Sequence, residues 1–459
     1  MKEAIYLELT FEELINSING EIIKKESEEF NSLCTDTRKI QKNNIFLALK
    51  GENFNGNKYI MEAFSKGASI AIVDEICFEE KDLNKASTII KVKDCNEALL
   101  SLAKYYREKL GIKVIGITGS TGKTSTKDLV AAFLSEKYKV FKTKGNFNNH
   151  IGLPLMILEL DSSYDVAVLE LGMSNLGEIH TLANCSRPDI ALITNIGLSH
   201  IENLKTKDNI LKAKMEITDF FNENSILIIN GEDEYLNKIQ KANYSIIKTG
   251  YNKDEDVYAE NVVLNDDSTS FTVVDGENKI EFTLPMVGAH NVLNGLLAIC
   301  ACKSLNVTYE EMIKGINNIE NTSMRLEFIK TDSITIINDC YNASPASMEA
   351  ALDVLKNHKG SRKVAILGTM RELGQESEKA HEKVGEYARD KIDLLIVTGE
   401  YSKNFSKGFA NNNIKIYDTK NDLIKSLKDN IRKGDVILVK ASRGIKFEEV
   451  VNELINIAI

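Results

Sequence analysis

Residues 116–125 read GITGSTGKTS. A glycine-rich turn that opens a helix aims several backbone N–H groups at one point and favours an anion there. A lysine placed just after it can reach the β- and γ-phosphates of a nucleotide, and the next hydroxyl can hold Mg²⁺. Thr118, Gly119, Ser120, Thr121, Gly122, Lys123, Thr124 and Ser125 are therefore candidate phosphate-binding residues. The usual pattern G-x-x-x-x-G-K-[ST] is not met, because Ile117 stands five residues before Gly122. The loop reads better as T-G-S-T-G-K-T, with Gly119 and Gly122 as hinges. A turn that is merely glycine-rich leaves Lys123 unexplained.

Three further residues have types and positions that could do chemistry. Glu170 interrupts the apolar run VAVLELG, and a lone buried carboxylate is costly without a metal or cationic partner. It is either a site residue or a satisfied structural carboxylate. His200 follows the run ALITNIGLSH, where it is either a ligand or a hydrogen-bonded core histidine. Lys214 falls on the apolar helical stripe of Ile210, Ile217 and Phe221, while Lys212 points away. An ammonium on that face is disfavoured. Lys214 either snorkels or is carbamylated by CO₂, which would turn it into an anion able to serve magnesium.

These residues need elements to position them. From Lys113 the chain alternates strand and helix: KVIGIT ends at the glycine loop, and KTSTKDLVAAFLSEK is helical, with apolar residues at 129, 130, 133 and 134. YDVAVLELG and PDIALITNIG are short continuous apolar runs, as in strands buried on both faces. This is a doubly wound α/β pattern, whose ligands bind at the strand ends. The stretch 251–283 alternates and is turn-rich, which predicts a β meander inserted in or flanking the central unit. SITIINDCY, KVAILGTM, DLLIVTGE and DVILVKAS predict four parallel strands of a third, Rossmann-like domain. Before residue 95, NNIFLALKG and ASIAIVD read as strands around the helix NKYIMEAFSKGA. The expected division is 1–94, 95–321 and 322–459.

Composition narrows the class. The chain has 459 residues, 43% hydrophobic and 27% charged, with a net charge of −10, which argues against bulk nucleic-acid binding. Seven scattered cysteines with no C-x-x-C pair argue against a zinc site and for a reducing cytoplasm. Neither a signal peptide nor an 18-residue apolar run is evident, so no membrane partner is expected.

GITGSTGKT, LELG, NIGLSHIE and KAKMEI together resemble the Mur ligases, ATP-dependent amide-forming enzymes of peptidoglycan synthesis. The resemblance extends over nearly the whole chain. TDTRKIQKNNIFLALKGENFNGNKYI is similar to an N-terminal UDP-sugar signature, KGNFNNHIGLP to an Asn-rich segment, and GAHNVLNGLLAI to an adenine-side motif. MRLE, NDCYNASPASMEAAL, LGTMRELG and VKASRG are similar to C-terminal motifs. The forms N-x-N-N-x-I-G-x-P and D-x-Y-N-A-x-P-x-S-M imply addition of D-alanyl-D-alanine to UDP-N-acetylmuramoyl-tripeptide through an acyl phosphate, by a cytoplasmic monomer.

What the resemblance implies for residues is specific. Lys123 and Thr124 bind the ATP phosphates. Thr124, Glu170, His200 and carbamylated Lys214 serve two Mg²⁺ ions. Asn291 and Asn294 lie against adenine, Arg325 meets the γ-phosphate and Asp339 the ribose. Thr35, Asp36 and Arg38 lie near the uridine diphosphate. Asn148, Asn149, Tyr341, Asn342 and Ser344 lie near the substrates.

Asn55 and Asn57 replace the family's usual Asp and His, and Asn338, Cys340 and Ser344 depart from D-D-A-Y-N-A-N-P. VKASRG stands for the usual V-K-G-S-R-G. Two rivals stay open. A sibling ligase adding another amino acid would carry a different acceptor motif, such as the D-N-P-R absent here. A P-loop ATPase driving motion would need an acidic pair where VAVLELG has one Glu.

Overall fold

The structure is a computed structural model that describes residues 7–240, 242–320 and 322–457. Besides a two-stranded hairpin of Lys50–Gly51 and Phe54–Asn55, the described residues form three large sheets whose central strands are runs of β-branched and aliphatic residues. The first has five strands in the order Glu21–Lys24, Thr88–Lys91, Ile70–Val73, Ile45–Leu47 and Leu33–Cys34. Only the Glu21–Lys24 edge runs antiparallel to its neighbour.

The central sheet has nine strands, ordered Asn278–Leu284, Thr269–Asp275, Val257–Leu264, Ser245–Gly250, Ile226–Asn230, Ile190–Ile193, Lys113–Thr118, Val166–Glu170 and Val140–Lys142. The six strands from Ser245–Gly250 to Val140–Lys142 are parallel. Helices cover both faces. Cys95–Leu110 and Glu178–Ser186 pack on one side, and Lys123–Leu134 and His290–Ser304 on the other. That double cover is why the strands are apolar without alternation. The meander of residues 257–284 is no separate layer: its three strands prolong this sheet, the first parallel to Ser245–Gly250 and the next two antiparallel.

The helix Cys95–Leu110, capped by Asp94, serves two sheets at once. Its Tyr106 hydroxyl accepts from Glu8 N–H and donates to Leu160 O.

The third sheet has six strands, where the sequence predicts four. Their order is Glu327–Lys330, Thr335–Asn338, Asp435–Lys440, Arg362–Leu367, Leu394–Thr398 and Ile414–Tyr417. The two additional strands are the edges. Glu327–Lys330 is antiparallel and Ile414–Tyr417 is half exposed, so neither shows the apolar run of a central strand. For the same reason the short edge Val140–Lys142 of the central sheet is weakly marked in the sequence.

The parallel register matters for the site. Glu170 pairs with Ile117, and Thr118 with Ile193. The carboxyl ends of three neighbouring strands therefore meet at one edge. The chain reverses its direction of travel there, from Val166–Glu170 on one side of Lys113–Thr118 to Ile190–Ile193 on the other, which opens a crevice.

Candidate active site

The glycine loop lies between the buried strand Lys113–Thr118 and the helix Lys123–Leu134. Gly122 has φ +82°, a left-handed conformation that favours glycine. Gly119 has φ +150°, and a Cβ there would lie 1.8 Å from Thr194 Oγ1. A side chain is excluded by contact as much as by torsion. Lys123 Nζ donates to Gly119 O at 2.7 Å, so the ammonium curls over the loop. Burial lowers the Lys123 pKa, Glu170 opposes that shift, and Arg325 adds to it.

The loop's shape is imposed from the next strand. Asn195 Oδ1 accepts from Thr121 N–H at 3.0 Å, and its Nδ2 donates to Thr121 O at 3.2 Å. Ser120 N–H donates to Asn195 O at 3.0 Å, and Thr194 Oγ1 donates to Thr121 O at 2.5 Å. Asn195 lies in the motif NIGLSHIE, but nothing local in the sequence marks it as the residue that shapes the loop.

Glu170, at the end of its strand, is 2% exposed, and its Oε1 has no hydrogen-bond partner. The nearest cation is Lys127, whose Nζ lies 3.7 Å away, too far for a hydrogen bond. An orphaned buried carboxylate oxygen is a fit for a divalent cation, and the buried Thr124 opens the helix beside it. Lys214 is 2% exposed, on the stripe shared with Ile210 and Ile217. Among the described residues no carboxylate pairs with it. Burial drives its pKa well below the ordinary range, and the neighbouring charge of Lys123 adds to this. The neutral amine so favoured is the form that reacts with CO₂.

His200 sits at φ +63°, just before the helix Ile201–Leu204. Its Nδ1 lies 2.6 Å from Glu372 Oε2, a carboxylate of the third sheet's domain, without hydrogen-bond alignment. That leaves Nε2 as the nitrogen available to a metal. Glu372 is held below the usual carboxylate range, chiefly by His200.

The third domain supplies the opposite wall. Arg325 stacks on Tyr341, with Cζ 4.1 Å from the ring centre, and its buried Nε has no partner. Lys440, 2% exposed, lies 2.5 Å from Asp339 Oδ2 and donates to Asn342 O at 2.8 Å. Leu326 N–H donates to Asp339 Oδ1 at 3.2 Å. On the central side, Asn291 Nδ2 donates to Val287 O at 2.9 Å and Asn294 Nδ2 to Asn291 Oδ1 at 3.1 Å. Asn294 abuts the loop, since a Cβ on Gly122 would lie 2.7 Å from its Oδ1.

One cavity of about 1760 Å³ joins these groups. Residues 118–125, Asn148, Asn149, Glu170, His200, Lys214, Asn291, Asn294, Arg325, Asp339, Tyr341, Asn342 and Ser344 all line it. Asn149 Oδ1 accepts from Gly152 N–H at 2.8 Å, and Ser344 precedes the helix Pro345–Asn357, its N–H on Ser347 Oγ at 2.9 Å. Thr35, Asp36 and Arg38 do not line it; they lie at the end of Leu33–Cys34 in the first sheet. There the Arg38 guanidinium, 2.8 Å away, holds the half-buried Asp36 carboxyl down to about 2.

The departures at Asn55 and Asn57 have structural partners. Buried Asn57 donates to Asp74 Oδ1 at 2.6 Å and accepts from Asp74 N–H at 3.2 Å, while Asn55 Nδ2 donates to Glu75 at 2.8 Å. Asn338 Nδ2 donates to Glu327 Oε2 at 2.9 Å.

Three family models match the chain. "Mur ligase family, catalytic domain" covers residues 29–107, "Mur ligase middle domain" 117–302 and "Mur ligase, glutamate ligase domain" 324–443. The chain is 39% identical to the UDP-N-acetylmuramoyl-tripeptide–D-alanyl-D-alanine ligase of Bacillus subtilis, over 97% of this chain and 98% of that protein. It is similar to a crystal structure of MurF from Acinetobacter baumannii, with TM-score 0.92 and 30% identity over 99% and 100% of the two chains. A MurF ligase from Thermotoga maritima in complex with ADP matches at TM-score 0.82 and 29% identity, over 93% and 97%.

Proposed function

The chain belongs to the Mur ligase family, and on that premise we propose that it uses ATP to join D-alanyl-D-alanine to UDP-N-acetylmuramoyl-tripeptide. The UDP-muramoyl-pentapeptide, ADP and phosphate are the products. One observation carries the reading. The glycine loop, Glu170 and Lys214 of the central domain face Arg325 and Asp339 of the third domain across a single cavity. The near full-length relation to ligases of this specificity names the substrates.

Joining a carboxylate to an amine in water is uphill, so the carboxylate must first be activated. The tripeptide carboxylate attacks the γ-phosphorus of ATP, the bond to the β-phosphate breaks, and an acyl phosphate and ADP result. The dipeptide amine then attacks the acyl carbon, phosphate leaves, and the amine loses a proton. Two anions meet in the first step. Lys123 and Arg325 neutralise that repulsion, and the backbone N–H groups of residues 122–124, at the start of the helix, fix the phosphates. Asn291 and Asn294 orient the adenine end, and Asp339, set by Lys440, takes the ribose. Asn148, Asn149, Tyr341, Asn342 and Ser344 line the way to the reacting carboxylate. Thr35, Asp36 and Arg38, away from the cavity, take the uridine diphosphate end of the long substrate.

Thr124, Glu170, His200 and Lys214 as its carbamate would hold two Mg²⁺ ions, which supply charge neutralisation on the transferring phosphoryl group. The orphaned Glu170 oxygen supports a cation there, and the lowered Lys214 pKa supports the carbamate. Among the described residues no helix is long and apolar enough to cross a membrane. Seven free cysteines support a reducing, cytoplasmic setting, and the monomer is carried over from the family resemblance. We place the domain boundaries near residues 94 and 321.

The test is phosphate release from ATP with the UDP-tripeptide, with and without D-alanyl-D-alanine, and the product mass. Release that needs both and a new amide is the expected result. Release with a different amine would move the chain to a sibling specificity, and release with neither substrate would favour a plain ATPase.

A further inference from the structure

The motif LGTMRELG brings a guanidinium to the cavity that the scheme above does not use. We propose that Arg371 anchors the free carboxylate of the incoming dipeptide, an inference that rests on the ligase reading.

The dipeptide carries a carboxylate that does not react, and a buried or partly buried carboxylate needs a cationic partner. Of the six lysines and arginines of the third-domain wall that line the cavity, three are already paired, and Arg325 is taken by the γ-phosphate in the reading above. Lys440 lies on Asp339, Arg443 Nη1 is 3.2 Å from Glu448, and Lys359 Nζ is 3.4 Å from Asp266. Arg371 has no carboxylate and no side-chain hydrogen bond among the described residues, yet it lines the cavity. Its backbone is held firmly. Arg371 N–H donates to Ser442 Oγ at 2.9 Å, and Met370 N–H to His381 Nε2 at 2.9 Å. The guanidinium packs over Gly444, where a Cβ would lie 2.3 Å from Nη1. The side chain is exposed, and a held backbone carrying a free planar fork is suited to bidentate carboxylate recognition.

Position supports the same occupant. An extended dipeptide spans roughly 7 Å from amine to carboxylate, so its anchor must lie close to the reacting carbon. Arg371 is the chain neighbour of Glu372, whose carboxylate is 2.6 Å from His200. Besides Arg325, which the ligase reading places on the γ-phosphate, the remaining third-domain cation on the cavity without a carboxylate partner among the described residues is Lys330, which ends the strand Glu327–Lys330, two residues after Phe328, which stacks on His358 at 5.2 Å. Beside it the chain neighbour of His358, Lys359, pairs with Asp266, so a carboxylate already faces that end.

The experiment compares D-alanyl-D-alanine with its C-terminal carboxamide as acceptor, for wild type, Arg371→Ala and Arg371→Lys, by amide product. The expected wild type prefers the free acid by roughly 10- to 100-fold in kcat/KM, the range for a charge-assisted pair. Arg371→Ala should lose that preference through KM for the dipeptide, with KM for ATP unchanged. Arg371→Lys should keep part of it. A wild type that uses acid and carboxamide equally would overturn the inference, as would an Arg371→Ala protein that still prefers the acid. In both cases the ligase reading stands. Absence of any amide product from wild type would instead remove the ligase reading, and this inference with it.

Discussion

His200 Nδ1 lies 2.6 Å from Glu372 Oε2, and the two residues belong to different domains. Both sit at φ +63°. Backbone contact reinforces the meeting, since Glu202 N–H donates to Glu372 O at 3.2 Å. A Cβ on Gly374 would lie 3.2 Å from Glu202 Cα. The loop 371–374 therefore docks on the turn that carries His200, and a ring proposed to face a metal is oriented from across the cavity.

Glu372→Gln should leave the melting temperature nearly unchanged, because a pair this exposed contributes little to stability. Its kcat should fall by roughly 10-fold, since small misplacements of reacting groups are costly. Steady-state kinetics beside a thermal melt checks both. An unchanged kcat would show that the loop does not set His200.

Lys214→Ala should lower kcat by at least about 100-fold, as loss of a preorganised charge at a phosphoryl-transfer site does. Added short carboxylates should restore part of it by standing in for the carbamate. ¹³C-labelled bicarbonate should give a carbamate signal in wild type that is missing in the variant. Full activity in the alanine variant would sink the carbamate.

Gly119→Ala places a methyl group 1.8 Å from Thr194 Oγ1. Overpacking of this kind costs about 1–3 kcal/mol, and here it deforms the loop itself. ATP binding by calorimetry should be lost. The double variant with Thr194→Ala should recover part of it, because the clashing atom is gone. No recovery would assign the loss to torsion alone.

His381 is fully buried, and burial lowers its pKa to about 4. The ring is held in one tautomer, with Nδ1 on Ser377 O at 2.6 Å and Nε2 accepting Met370 N–H. The unfolded chain takes up the proton near 6.5 and the folded protein only near 4. The stability contribution is therefore full above about pH 6.5 and is lost as pH falls toward about 4. Urea unfolding of wild type across that window should show a slope that His381→Asn flattens. Equal slopes in the two proteins would show that His381 is not the titrating group.

The glycine loop, the doubly wound pattern and the three-part α/β organisation are legible in the sequence because each is local. A strand buried on both faces is a continuous apolar run, and a phosphate loop is a short string with a lysine at a set distance. The edges Glu327–Lys330 and Ile414–Tyr417 are not legible, because an edge strand is half solvated and carries no run. The Lys214 stripe is local too, since helical spacing alone puts an ammonium on the buried face. Asn195 binding Thr121, Lys440 pairing with Asp339 and Glu372 meeting His200 join residues 74, 101 and 172 positions apart in the chain. The sequence by itself determined which groups could do chemistry and which elements carry them. Only the tertiary structure decided which groups face one another, because partners and unpaired charges depend on strand order and on how one domain meets the next.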